Sequence, residues 1–169
     1  MKTLISTATM ALLLSSNAQA SVGAGMFVYE HDVAFGGGFT RKSCVRERGR
    51  WVRGACIFQA ADSVEISQTE ADFEVKVNTI RTNGRDCQFT GAAKAVSATE
   101  LLASTESELW VAGNDGEEIE IVPAVCELKI TFLDADTLKV EKVDAQKCAS
   151  VCGTSLIGLD VPRAVRTSR

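Results

Sequence analysis

Apolar residues recur at every second position over much of this chain, the period of strands with one dry face. Val64 and Ile66 alternate with Glu65 and Ser67, and Phe73, Val75 and Val77 alternate with Glu74, Lys76 and Asn78. The short link from Gln68 to Asp72 makes these two strands antiparallel neighbours. Asn83-Gly84 marks a tight turn. Beyond it Cys87, Phe89, Gly91, Ala93 and Ala95 share a face whose small residues predict a bulge or a close backbone approach near Gly91. Ala98 to Ala103 reads as a strand or as one helical turn. Leu109 and Val111, with Trp110 opposite, read as another strand, Asn114-Asp115-Gly116 supplies a turn, and Ile119 and Ile121 lead the return. The clearest pair sets Cys126, Leu128, Ile130 and Phe132 against Glu127, Lys129 and Thr131. After Asp134-Ala135-Asp136 it continues with Leu138 and Val140 against Lys139 and Glu141.

About eight short antiparallel strands in sequential order predict an all-β domain, a small barrel or a sandwich. Residues 41–162 are assigned to it. Residues 21–40 are dense in glycine, which raises the cost of ordering the backbone, and are expected to form a mobile arm or an irregular edge. Within them Met26-Phe27-Val28-Tyr29 is either a strand added to the sheet edge or an exposed contact segment. The stretch 163–169 is basic and is expected to fray.

The first twenty residues change the picture of where this domain works. Lys2, an apolar run from Leu4 to Leu14, and Ala18-Gln19-Ala20 with small residues at −3 and −1 form a secretory leader, cut after Ala20. The run is too short to span a bilayer, and no later segment is long and apolar enough for a permanent membrane anchor. A periplasmic or extracellular address follows. There all six cysteines, Cys44, Cys56, Cys87, Cys126, Cys148 and Cys152, are expected in three disulfides. Cys44 and Cys56 flank a loop or hairpin turning at Arg48-Gly49-Arg50 and are paired with each other; three pairings remain open for the other four. The closely spaced Cys148 and Cys152 read as the structural clamp of the domain.

Charge adds two candidate contact surfaces. The net charge of −4 is ordinary for solubility and argues against nucleic acid as the main partner. Locally, Arg41, Lys42, Arg46, Arg48, Arg50 and Arg53 stand against Glu47 alone, with Trp51 among them. This stretch reads either as an anion-contacting loop, with Trp51 as an amphipathic contact, or as a solvated hairpin with Trp51 in the core. Between Lys94 and Lys129 there is no basic residue, while Glu100, Glu106, Glu108, Asp115, Glu117, Glu118 and Glu120 are acidic. They form an acidic edge that either discourages edge-to-edge pairing or docks a cationic partner.

Catalytic patterns are sparse. His31 is the single histidine, so any Ser-His-Asp or Cys-His arrangement must use it, and its place in the glycine-rich arm predicts an exposed polar residue. Cys148-x3-Cys152 has a spacing compatible with zinc, but an oxidising compartment favours bridges. Gly-x-Ser-x-Gly, phosphate-loop and dinucleotide patterns do not occur. Asp134 and Asp136 are explained by turn chemistry. No catalytic, metal or cofactor-binding residue is assigned.

From Cys87 onward the chain resembles a group of small bacterial envelope domains. The resemblance rests on Cys87-x-Phe89-x-Gly91-x-Ala93, Cys126-x-Leu128-x-Ile130-x-Phe132, Leu138-x-Val140, and Cys148-x3-Cys152-Gly153 before Leu156 and Gly158. In size, compartment and β content the whole is similar to periplasmic lysozyme inhibitors, small β proteins that plug the cleft of a basic hydrolase. Their Ser-Gly-x-x-Tyr loop does not occur here, so no inhibitory residue carries over. The charge asymmetry and the missing catalytic signature lead us to expect a non-enzymatic binding domain, with a cationic hydrolase such as lysozyme as partner and Glu106, Glu108, Glu117, Glu118 and Glu120 of the acidic edge as its contacts. The other expectation is a structural or surface-attachment protein that touches anionic envelope components through Arg46, Arg48, Arg50 and Trp51. The sequence does not fix an oligomeric state.

Overall fold

The structure, a computed structural model, describes residues 22–82, 85–112, 119–152 and 158–167. The expected leader 1–20, the expected turns at Asn83-Gly84 and Asn114-Asp115-Gly116, and Glu117, Glu118, Gly153 and Leu156 lie outside the described residues.

Among the described residues nine strands form one antiparallel sheet. They are β1 (Gly25–Phe35), β2 (Arg50–Val52), β3 (Ala55–Gln68), β4 (Phe73–Arg81), β5 (Arg85–Ser97), β6 (Glu100–Ala112), β7 (Ile119–Phe132), β8 (Thr137–Lys142) and β9 (Val161–Arg166). From β3 to β9 each strand pairs with its sequence neighbour. β1 then lies between β9 and β3, so the sheet closes on itself in a ring, while β2 adds only to the outer end of β3. One ring-like sheet replaces the sandwich alternative, and its sequential order is the expected one.

The period-two pattern explains which side chains fill the ring. Phe27, Val64, Ile66, Val75, Val77, Phe89, Leu101, Leu128, Ile130, Phe132, Leu138, Val140 and Leu159 are buried in one cluster. Each large side chain removed from water stabilises the fold by about 1.5–3 kcal/mol. The ring of Phe27 meets that of Phe132 edge-on, 5.9 Å between centroids. Gly91 is where two backbones touch: a Cβ there would run into the carbonyl oxygen of Ser104 on β6. The ladder between β5 and β6 then shifts register between Ala95 and Ser97.

Two expectations at the ends of the chain are corrected. The glycine-rich segment is not a loose arm. Its glycines cluster at the ends of β1, an eleven-residue strand paired with β3 from Gly25 opposite Ile66 to Phe35 opposite Cys56. The basic C-terminal stretch is ordered through Arg166, whose guanidinium donates to the carbonyls of Ala24 (2.7 Å) and Ala135 (3.1 Å) and lies over the Phe27 ring. Those contacts hold β9 between β8 and β1.

All six cysteines are bridged: Cys44–Cys56, Cys87–Cys152 and Cys126–Cys148. Cys148 and Cys152 are therefore not bonded to each other. They tie one short segment, containing a 3-10 turn at Ser150–Cys152, to two different strands, β7 and β5. Three disulfides fit an oxidising, exported compartment. No helix among the described residues is long and apolar enough to cross a membrane.

Candidate functional site: two charged arms on one end of the ring

The registers send two ribbons out of the ring. β5 pairs with β6 only from Ala92 opposite Ser104 to Ser97 opposite Glu100, and β7 pairs with β8 only from Leu128 to Phe132. The pairing of β6 with β7 nevertheless continues to Ala112 opposite Ile119. Residues 105–112 and 119–127 therefore form a two-stranded ribbon beyond the wall. On the other side β3 pairs with β4 only from Ser63 to Gln68, whereas β1 and β3 continue together to Phe35 and Cys56. Because the strands are antiparallel, both extensions leave from the end of the ring that carries the link between β4 and β5. They stand across from each other, with β8 and β9 on one side and β4 and β5 on the other.

The first ribbon carries the acidic residues. Alternation puts Glu106, Glu108, Trp110, Ile119, Ile121, Pro123 and Val125 on the face continuous with the outside of the ring. Trp110 is 49% exposed and Ile121 56%. Glu106 and Glu108 line a shallow groove with Ile121, Pro123 and Val125. Glu120, also exposed, points to the opposite face with Leu109, Val111 and Val122. Glu100 lies back in the wall, opposite Thr131. The expected acidic edge is thus divided: Glu106 and Glu108 share one face, Glu120 is across the ribbon, and Glu117 and Glu118 lie outside the described residues. The base of the ribbon is braced by the Cys126–Cys148 bridge and by Ser150, whose hydroxyl accepts the N–H of Glu108 at 2.9 Å.

The second extension carries the basic residues on a compact annex. The chain turns at Arg48-Gly49 as expected, between a short helix not foreseen from sequence, α1 (Arg41–Arg46), and β2, which is hairpinned onto β3. Thr40 caps α1: its hydroxyl accepts from Ser43 N–H, and the Ser43 hydroxyl accepts from Thr40 N–H. The C-terminus closes with Gly49 N–H on the Cys44 carbonyl (2.8 Å) and Arg48 N–H on Val45 (3.1 Å), a Schellman arrangement. A Cβ at Gly49 would lie 2.8 Å from the Cys44 sulfur and 2.9 Å from the Phe58 ring, so only glycine passes there. The Cys44–Cys56 bridge was the pairing expected from sequence. Beside it Phe35, Phe39 and Phe58 pack edge-on at 5.2–6.0 Å, giving the annex a small core of its own. Trp51 is half-buried opposite Cys56.

Of the annex cations, Arg50 is held by Asp32 at 2.7 Å and Arg46 lies 3.6 Å from Glu47. Arg41, Lys42, Arg48 and Arg53 are exposed and have no ion pair among the described residues. Arg48 (φ 63°) and Arg53 (φ 48°) are the two non-glycine residues at positive φ among those described. Arg48 occupies the helix-terminating position usually given to glycine, and Arg53 the first central position of a two-residue hairpin turn, where Asn or Asp is usual.

Where the annex joins the ring, a polar network missed by sequence reasoning replaces the apolar core. Asp62 is fully buried. Its Oδ1 accepts from His31 Nε2 (3.0 Å) and Ile80 N–H (2.8 Å), and its Oδ2 from Arg81 (2.8 Å). Arg81 also donates to the carbonyls of Gly158 (2.6 Å) and Asp160 (2.7 Å). His31 is therefore not the exposed polar residue expected: its side chain is 16% exposed and stacks on Tyr29. The one available signal was Asp62, a carboxylate on the apolar face that continues to Val64 and Ile66. Nearby, burial alone would raise the Asp160 carboxyl, but the hydrogen bonds and charge of Lys142, with the charge of Arg81, outweigh it and hold the group below its ordinary value.

Among the described residues no three His, Cys, Asp or Glu side chains converge as a metal site. Comparison with protein-family models, curated proteins and solved structures finds no match for this chain.

Proposed function

We propose that the protein is an exported, non-catalytic binding protein, cleaved after Ala20, whose β6–β7 ribbon engages a cationic hydrolase of the lysozyme type. One observation carries the reading. Glu106 and Glu108 stand exposed beside Trp110, Ile121 and Val125 on a ribbon that contributes to neither neighbouring strand and bears no cation between Lys94 and Lys129. An aromatic and branched aliphatic centre with a charged margin is the composition of a recognition surface. The carboxylates steer a basic partner and set its orientation. Bracing at Cys126–Cys148 and Ser150 keeps the ribbon in place before contact, which lowers the ordering cost of binding.

The test is turnover of a bacterial cell-wall substrate by c-type lysozyme at low salt, with the mature protein titrated in. Inhibition that weakens as salt rises is expected, because exposed charges are screened within about 10 Å at 0.1 M. Full turnover at micromolar protein would remove the hydrolase as partner.

A further inference from the structure

We propose that the protein self-associates as a two-fold dimer, the basic annex of each copy docking on the acidic ribbon of the other. The partner of each arm is then a second copy of this chain, which competes with the proposed hydrolase for the same ribbon.

Arg48 and Arg53 sit at backbone positions that glycine or asparagine would occupy more easily, and neither finds an acid within its own chain among the described residues. Arg41 and Lys42 are likewise exposed and unpaired. A cation kept at a strained position and left without an internal partner points to a charge outside the molecule. The annex displays these side chains on a frame fixed by a capped helix, the Cys44–Cys56 bridge and three packed phenylalanines, so little order is lost on docking.

The complementary surface belongs to the same protein. One face of the ribbon presents Glu106 and Glu108 with exposed Trp110, and arginine is the cation best suited to both carboxylate and indole. The annex also exposes Val45 (61%) and Val52 (39%) among its cations, apolar area that a mixed surface such as the ribbon would cover. The two arms cannot satisfy each other within one chain, since the ring separates them and no ion pair joins them among the described residues. They do, however, leave from the same end. A half-turn about an axis perpendicular to the ring axis brings two such ends face to face and sets each annex against the opposing ribbon. That is a closed, isologous arrangement with two identical contacts.

Sedimentation velocity of the mature protein at low salt, over a concentration series, is expected to show a monomer–dimer equilibrium. Raising ionic strength from about 0.05 M to about 0.5 M should weaken it at least about tenfold, since the Debye length shrinks several-fold over that range. Two charge-reversed chains sharpen the test: one with Glu106→Arg and Glu108→Arg, the other with Arg41→Glu, Arg48→Glu and Arg53→Glu. Each alone should be monomeric, and an equimolar mixture should recover a 1:1 dimer, because every contact is again between opposite charges. If a reversed chain fails to fold, glutamine at the same positions should still weaken the dimer. A wild-type chain that stays monomeric throughout, or reversed chains that each still dimerise, would overturn the proposal. A wild-type monomer that inhibits lysozyme would overturn the dimer alone; a wild-type dimer whose monomeric Arg41→Glu, Arg48→Glu and Arg53→Glu chain, with its ribbon free, still fails to bind lysozyme would overturn the hydrolase reading alone.

Discussion

Replacing Asp62 tests how the annex is held to the ring. The Asp62 carboxylate is fully buried and accepts from His31, Arg81 and the Ile80 N–H, so Asp62→Ala leaves three donors without their acceptor. Removing one partner of a buried ion pair costs about 3–5 kcal/mol. Arg81 keeps the carbonyls of Gly158 and Asp160, and its side chain is 22% exposed, so the lower end of that range applies, about 3 kcal/mol. For a domain of this size each kcal/mol moves the thermal midpoint by about 2–4 °C, so the expected fall is about 6–12 °C. Asp62→Asn keeps an oxygen for Ile80 N–H and should lose less. The assay is thermal unfolding by circular dichroism near pH 7 with the disulfides intact. Amide exchange supplies the local readout: Ile80 should open locally and exchange faster than the Leu128 to Phe132 amides on the far wall, whose exchange follows global unfolding. A loss below about 1 kcal/mol would refute the reasoning, since it would mean that the network contributes no more than an exposed pair.

Other expectations follow from the same geometry. Replacing Cys87 and Cys152 by serine opens a link of 65 residues and should cost about 4 kcal/mol, measured by urea unfolding, against about 3 kcal/mol for the 12-residue Cys44–Cys56 link. Gly91→Val, which drives a side chain into the Ser104 carbonyl, should lower stability by about 1–3 kcal/mol in the same assay, and an unchanged midpoint would disprove the close approach. Asp160 is held below the ordinary carboxylate range, so it binds a proton less readily folded than unfolded. Its contribution is complete above about pH 4 and is lost as pH falls through its depressed value. Thermal midpoints should therefore decline more steeply with acid in the wild type than in Asp160→Asn.

The strands were legible where one face is dry. Leu128, Ile130 and Phe132 against Leu138 and Val140 gave the β7–β8 hairpin, and Asp134 explains its turn, accepting from Asp136 N–H at 2.9 Å. Hydrogen bonds from the Thr137 side chain and from Asp136 N–H hold the Asp134 carboxyl below its usual range. Closure of the ring was not legible, because it depends on β1. Its inward positions run Phe27, Tyr29, His31, Val33 and Phe35, and the histidine interrupts the apolar pattern while glycines crowd both ends. His31 is tolerated inward only because Asp62, 31 residues away, accepts from it. Helix α1 is too short for a helical period, and its cap uses Thr40 and Ser43 without a glutamate. Both faces of the β6–β7 ribbon carry apolar residues, Trp110 and Ile121 on one and Leu109 and Val122 on the other. That departure from strict alternation marks a ribbon leaving the wall. The acidic run along the sequence hid the fact that Glu120 faces away from Glu106 and Glu108.

The claim that the ribbon is the contact surface is tested most directly by a hydrogen-exchange footprint of the mature protein with c-type lysozyme at low salt. Slowed exchange is expected at the amides of 106–112 and 119–125, lost in Glu106→Gln/Glu108→Gln, with the β3–β4 ladder unchanged. Protection confined to α1 and β2, or none at lysozyme concentrations above those of the turnover assay, would contradict it.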